Sequence, residues 1–185
     1  MRTPVTGRSR PLISRAAAAA RSGEAATRVA ASPERAGAAA REISGRDLPV
    51  TGVLMRIRTL RRRRPSYDRP VLEAMARIGL VRLADEPLAV LLGGVLSPWR
   101  ARGGHRPVAS ADELRAFAEP GWVRVATAFT VTPEGKGCRV RTETRIVATD
   151  DTARRRFGRY WRLIGPFSSI TRREMLAAIR RRAEA

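Results

Sequence analysis

The sequence predicts an α+β domain in which an antiparallel sheet supports one long C-terminal helix. Between Cys138 and Ile146, apolar or small side chains alternate with charged ones, which is the period of a half-buried strand. After Asp150 the period changes, and large apolar side chains recur at i, i+3, i+4 and i+7, as on one face of a helix. These side chains are Phe157, Tyr160, Trp161 and Ile164. The earlier elements must therefore supply the sheet on which this helix lies.

Composition limits the class of protein. The chain has 185 residues, enough for one domain with a substantial core. There are 37 Lys and Arg against 17 Asp and Glu, which gives a formal charge of +20, and Lys136 is the single lysine. Such a surface attracts nucleic acid, anionic membranes or acidic partners. Cys138 is the single cysteine, so an intrachain disulfide is excluded, which fits a reducing compartment.

The N-terminal residues differ from the rest of the chain. Residues 1–23 carry five arginines and no acids, and we predict that they form a disordered basic tail before one domain at 24–185. A transit peptide is the alternative interpretation. Ala16–Ala20 is too short for a signal-peptide core, and the apolar run Leu88–Leu96 is about half of a membrane-spanning helix. We therefore expect a soluble cytoplasmic protein.

The first half of the chain begins with a strand followed by helices. Glu24–Ala31 is a candidate strand, and Ser32-Pro33 has the residues of a helix N-cap and first turn. That helix is predicted to end at Ser44, before Gly45. A second helix is expected near Leu48–Leu60, and a short helix or turn at Pro70–Arg77.

The central part of the chain predicts a hairpin. Leu80–Leu83 and Leu88–Leu96 are two strands joined by a turn. Gly93-Gly94 indicates a bulge or a close approach by another segment. A basic loop is expected at Arg100–Arg106, and a capped short helix follows at residues 110–118.

The last elements are a strand pair and the long helix. Gly121–Thr132 alternates as a strand and turns back at Pro133–Gly137 into the strand that begins at Cys138. Gly165-Pro166 is expected to break or kink the helix. Thr171 and Glu174 have the spacing of a capping box for its resumption near Ser169.

Three segments resemble a known superfamily. Residues 30–35 (AASPER) resemble the turn after the first strand, and residues 88–99 (LAVLLGGVLSPW) resemble a central strand ending in a bulky residue. The third segment combines TETR at 142–145 with ARRRF at 153–157 and Tyr160-Trp161. Together with the element order, these segments resemble an actinobacterial branch of the START, pollen-allergen and polyketide-cyclase superfamily, called SRPBCC, over residues 24–184.

This resemblance implies a fold and a range of functions. In the helix-grip fold of that superfamily, a curved antiparallel sheet wraps around the C-terminal helix, which would here be kinked. A deep, largely apolar cavity lies between them. Members include lipid carriers, cyclases, hormone receptors and oxygenase subunits, so the fold does not fix the function. Two segments depart from the pattern, the Arg100–Pro120 region and the Gly165-Pro166 interruption.

Aromatic side chains are the first candidate ligand contacts. Phe157, Tyr160 and Trp161 form either core packing or a cavity wall, and the Tyr160 hydroxyl needs a polar partner if it is buried. Trp99 and Trp122 lie at strand ends, where they can close a cavity or cap a core.

Glu143 and Arg145 are the second candidates. They share a strand face, and they would anchor a polar ligand group if that face lines the cavity. The alternation favours the opposite placement, because Val140 and Ile146 belong inside.

The sequence therefore predicts a protein that binds a small apolar or amphipathic molecule, such as a lipid. One alternative is a cyclase-like or dehydratase-like enzyme, which would need an acid/base pair drawn from Glu143, Tyr160 and nearby arginines. The other alternative is a nucleic-acid or anionic-membrane binder using its arginine clusters. We predict no cofactor and no metal site, since His105 is the single histidine. The ligand, any reaction and the oligomeric state do not follow from the sequence.

Overall fold

The predicted α+β fold is confirmed: a six-stranded antiparallel sheet packs against a long C-terminal helix in the helix-grip arrangement. The computed structural model describes residues 21–58, 68–100 and 104–185. The strands are β1 Arg21–Val29, β2 Val81–Glu86, β3 Ala89–Leu96, β4 His105–Arg106, β5 Val123–Glu134 and β6 Gly137–Ala148. The helices are α1 Pro33–Glu42, α2 Pro49–Arg58, α3 Val71–Arg77, α4 Ala111–Ala116 and α5 Asp151–Glu184, and a 3₁₀ turn spans Gly45–Asp47.

The start of β1 bears on the predicted N-terminal tail. The strand begins at Arg21, so residues 21–23, which were predicted to be tail, pair with β6. The rest of the predicted tail lies outside the described residues.

The sheet has the strand order β1-β6-β5-β3-β2, and the two-residue β4 pairs with the end of β3. Its two faces have different neighbours. We call the face toward α5 the inner face. Side chains from that face pack with α1 and the C-terminal half of α5, where Leu176 and Ile179 are buried. This packing fixes α5 at one end and leaves its middle free to form the roof of a cavity.

The opposite, outer face carries a second apolar cluster that the sequence did not predict. It joins the sheet to α4 and contains Leu91, Val95, Val108, Leu114, Trp122, Ala126 and Val147. In the described residues of the Arg100–Pro120 region, the regular elements are the two-residue β4 and the short helix α4, which packs over the outer face. Trp122 belongs to this cluster, so of its two predicted roles the structure fits packing in a core and not closing the cavity.

Helix α5 is continuous through Pro166, so of the two predicted outcomes at Gly165-Pro166, a break or a kink, the break does not occur. Proline removes one backbone donor, but Pro166 is exposed, and buried residues on both sides hold the helix in place. Asp150 begins the helix, because its carboxylate accepts a hydrogen bond from the Ala153 backbone N–H at 2.8 Å. This bond and one from the Gly121 N–H lower the pKa of Asp150.

Glu174 does not form the predicted capping box. Its carboxylate accepts hydrogen bonds from the backbone N–H groups of Val50, at 2.7 Å, and Thr51, at 2.8 Å. The Thr51 hydroxyl donates a third. A carboxylate is favoured there, because the first turn of a helix has free N–H groups and a partial positive charge. Glu174 therefore fixes the start of α2 on α5.

The expected close approach at Gly93-Gly94 is confirmed. A Cβ on Gly94 would overlap the backbone carbonyl of Gly79, which follows α3. The bulge lies instead in β2, between Arg82 and Ala84. Glycine at position 94 thus lets the end of α3 lie directly on β3, beside the cavity.

Candidate ligand-binding cavity

A cavity of about 830 Å³ lies between the inner face and the middle of α5. Its floor comes from the inward residues of β5 and β6, its roof from α5, and its side from α3 and the end of β3. The floor residues are Val125, Thr127, Phe129, Thr142, Thr144 and Ile146. Small-molecule sites usually have volumes of about 300–1,000 Å³. The space is therefore large enough for a small ligand.

Two exposed apolar side chains mark the opening of the cavity. Ile78, at the end of α3, is 60% exposed, and Leu163 of α5 is 70% exposed, and both line the cavity. An apolar ligand entering between α3 and α5 would meet these side chains first.

The predicted aromatic stripe lies at the cavity. Phe157 is 2% exposed, and its ring centroid lies 5.4 Å from that of Trp161 and 6.0 Å from that of Tyr160. All three side chains line the cavity, and Tyr160 and Trp161 are only partly buried. Trp99 is not among the lining residues, but its ring packs edge-on against Phe157 at 6.3 Å. Trp99 therefore contacts the cavity wall through Phe157 and not the cavity itself.

Glu143 and Arg145 do not reach the cavity, which corrects their place among the candidate ligand contacts. Thr142 and Thr144 point to the inner face, so the two-residue period puts Glu143 and Arg145 on the outer face. There the two side chains pair with each other. Arg141 of the same face pairs with Glu24 of β1 at 2.8 Å. The pair belongs to a charged outer surface.

The polar part of the floor consists of threonines. The hydroxyls of Thr127 and Thr144, which are cross-strand partners, lie 3.1 Å apart, and Thr142 is buried beside them. Strand alternation puts these threonines on the same face as Val140 and Ile146, but they were not among the predicted site residues. The signal was present, because a hydroxyl on an inward strand position needs a polar partner.

The ionic groups at the cavity are basic. Arg77, Arg100, His105 and Arg172 line it, and no Asp or Glu does. Residues 1–20, 59–67 and 101–103 contain no acid, so all 17 Asp and Glu lie in the described ranges. Desolvation lowers the pKa of Arg172, which is partly buried. The cavity therefore favours neutral or anionic ligands over cations.

The described part of the chain shows neither a metal-binding group of side chains nor a reactive thiol. Residues 21–58, 68–100 and 104–185 hold no group of three or more His, Cys, Asp or Glu that could bind a metal. Cys138 lies in the inner core, and burial raises the pKa of its thiol, so the reactive thiolate is disfavoured. Among the described helices, none is both long and apolar enough to cross a bilayer.

Comparison with known proteins gives distant likenesses. No family model matches the sequence. No curated protein matches it either. One solved structure with some similarity is TTHA0849 from Thermus thermophilus, with 14% identity and a TM-score of 0.36 over 88% of this chain and 97% of that one. Another is the NMR structure of the KanY protein, with 13% identity and a TM-score of 0.35 over 89% of this chain and 98% of that one. Both likenesses are distant.

Proposed function

We propose that this protein binds a small apolar or amphipathic molecule in the cavity between the sheet and α5. The observation that supports this is the cavity itself: about 830 Å³, with mainly apolar walls and a few polar groups. A concave apolar space of this size with a few polar groups has the usual character of a small-molecule site. The resemblance to SRPBCC proteins in the sequence points to the same function.

The proposed contacts are Phe157, Tyr160 and Trp161 on the roof and the threonines on the floor. The aromatic rings offer large apolar surfaces, and the Tyr160 hydroxyl adds a polar group at the wall. Trp99 acts through Phe157, whose position it supports. The ligand would thus lie between rings above and β-strands below.

The cyclase-like or dehydratase-like alternative is less well supported. Such a reaction needs a general acid and base within reach of the ligand. Glu143 was the carboxylate expected to supply one, and it lies on the outer face. No carboxylate lines the cavity, so an acid/base pair there would have to come from His105 and Tyr160, and ligand binding without such a pair is the simpler function.

Titration with Nile red, an uncharged apolar dye, tests the proposed function. We expect saturable fluorescence enhancement with folded protein at one dye per chain, and displacement of the dye by dodecanol. Protein unfolded in urea is the control and should give no saturable signal, since the cavity exists only in the fold. Folded protein that shows no saturable enhancement would contradict the proposal.

Docking to an anionic membrane is a second candidate, because α5 carries an exposed apolar stripe. The stripe has helical spacing and consists of Leu163, Phe167 and Ile170. Phe167 is 40% exposed and Ile170 is 43% exposed. Arg159, Arg162 and Arg173 are exposed on neighbouring turns. An apolar stripe flanked by arginines is typical of helices that lie on anionic bilayers. Since Leu163 also lines the cavity opening, docking there would bring the opening to the membrane.

Vesicle co-sedimentation tests this second candidate. We expect the protein to pellet with vesicles that contain phosphatidylserine and to remain in solution with pure phosphatidylcholine. The double variant Leu163→Glu/Phe167→Glu should lose most of this binding, because it puts two carboxylates into the stripe. Val53→Glu, at an exposed apolar position of α2, is the matched control and should bind as wild type. Equal loss in both variants would count against the stripe.

A further inference from the structure

We propose that Arg172 is the anchor for the carboxylate of an amphipathic acid whose hydrocarbon part occupies the cavity. This inference rests on the proposed function and adds the chemical class of the ligand. The site would hold a monoanionic head group at the guanidinium and an apolar body against the rings and strands.

The position of Arg172 is the first support. The residue lies on α5, lines the cavity and is partly buried. Its guanidinium lies against β1 at Gly23, where a Cβ would overlap Nη1 and would lie 2.7 Å from Nη2. Glycine at this position therefore leaves the space that the guanidinium occupies. An arginine held between helix and sheet is better placed for a specific contact than one that extends into water.

The second support is that Arg172 has no anionic partner in the described ranges. None of the ion pairs or hydrogen bonds found there includes it. Glu174, two residues further on α5, is engaged by the first turn of α2. Because every Asp and Glu lies in the described ranges, no side-chain carboxylate remains to pair with it. A desolvated cation without a partner is costly, and a ligand carboxylate would remove that cost.

The third support is a hydroxyl at the strand position that pairs with Gly23. Gly23 is the cross-strand partner of Thr144, whose hydroxyl shares one hydrogen bond with that of Thr127. In such a pair one hydroxyl donates and the other accepts, so one proton remains for a ligand. A guanidinium and a hydroxyl together match the two oxygens of a carboxylate. Beyond them the floor is apolar, with Phe129 and Ile146, which suits a hydrocarbon chain.

The experiment compares dodecanoate with dodecanol, which share one chain length and differ in charge. Displacement of Nile red by each probe is measured for wild type and for three variants, Arg172→Gln, Gly23→Ala and Arg180→Gln. We expect wild type to bind dodecanoate about ten-fold or more tightly than dodecanol, as one charge-assisted contact would give. Arg172→Gln should lose this preference and keep its dodecanol affinity. Arg180→Gln removes another exposed arginine of the same helix and should behave as wild type.

Gly23→Ala provides an independent readout that retains the arginine. The new Cβ displaces the guanidinium, which lies at the end of a flexible side chain, so the fold should tolerate the change. Its dodecanoate affinity should fall while its dodecanol affinity stays. Equal wild-type affinity for the two probes, or an equal loss for both in Arg172→Gln, would overturn the anchor and leave the proposed function standing. If Nile red binds wild type saturably but neither probe displaces it, the anchor fails and the proposed function stands; if Nile red does not bind saturably, both fail.

Discussion

Replacing Phe157 by alanine is expected to lower the free energy of unfolding by about 3–5 kcal/mol, as is usual for a buried ring. Phe157 is 2% exposed and touches the rings of Trp99, Tyr160 and Trp161. Its loss would leave a void between helix and sheet and would remove three ring contacts. Chemical denaturation of the purified variant, followed by tryptophan fluorescence, measures the change.

Leu163→Ala is the matched control for this prediction. It removes an apolar side chain from the same helix, but Leu163 is 70% exposed. The free energy of unfolding should therefore stay within about 0.5 kcal/mol of wild type. If Phe157→Ala unfolds at the wild-type midpoint, the N-terminal half of α5 does not pack on the sheet as described.

Most of the fold could be predicted from sequence because its signals are local. The alternation after Cys138, the aromatic spacing after Asp150 and the Ser32-Pro33 helix start each lie within a short window. The structure places β6, α5 and α1 at these positions, with Ser32 accepting a hydrogen bond from the Arg35 N–H.

The errors arise where tertiary packing overrides a local signal. Proline disrupts helices because it has no backbone N–H. Helix α5 nevertheless continues through Pro166, because the buried residues on either side hold the helix on the sheet and on α1. Glu174 has capping-box spacing, but the start of α2 lies against it and takes its carboxylate. The outer cluster around Leu114 and Trp122 joins segments whose contact no short window shows.

Part of the candidate site could be predicted from the sequence, and part of it could not. The stripe of Phe157, Tyr160 and Trp161 follows from helical spacing, and the outward placement of Glu143 and Arg145 follows from strand alternation. The approach of Arg172 to Gly23 does not follow from any local pattern. These residues lie near opposite ends of the chain, and they meet because β1 pairs with β6 beneath α5. No local pattern distinguishes Arg172 from the other arginines of α5.

Filling the cavity from its floor is expected to abolish ligand binding. The double variant Thr127→Phe/Thr144→Trp replaces two lining residues that are cross-strand partners. The two hydroxyls bond to each other at 3.1 Å, so the double variant removes both partners of this hydrogen bond and leaves no unpaired hydroxyl behind. The new rings enter existing space, so the cost of overpacking should be small. Nile red should therefore show no saturable binding to this variant, because the two rings occupy the space that the dye would fill.

The corresponding outer pair, Thr130→Phe/Arg141→Trp, adds the same two rings to the same two strands on the other face. Comparing Nile red titrations of wild type and these two folded double variants is the most direct test of the cavity as the ligand site. We predict that the inner variant loses saturable binding and that the outer variant binds as wild type. Wild-type affinity in the inner variant, or equal loss in both, would contradict a ligand site between the sheet and α5.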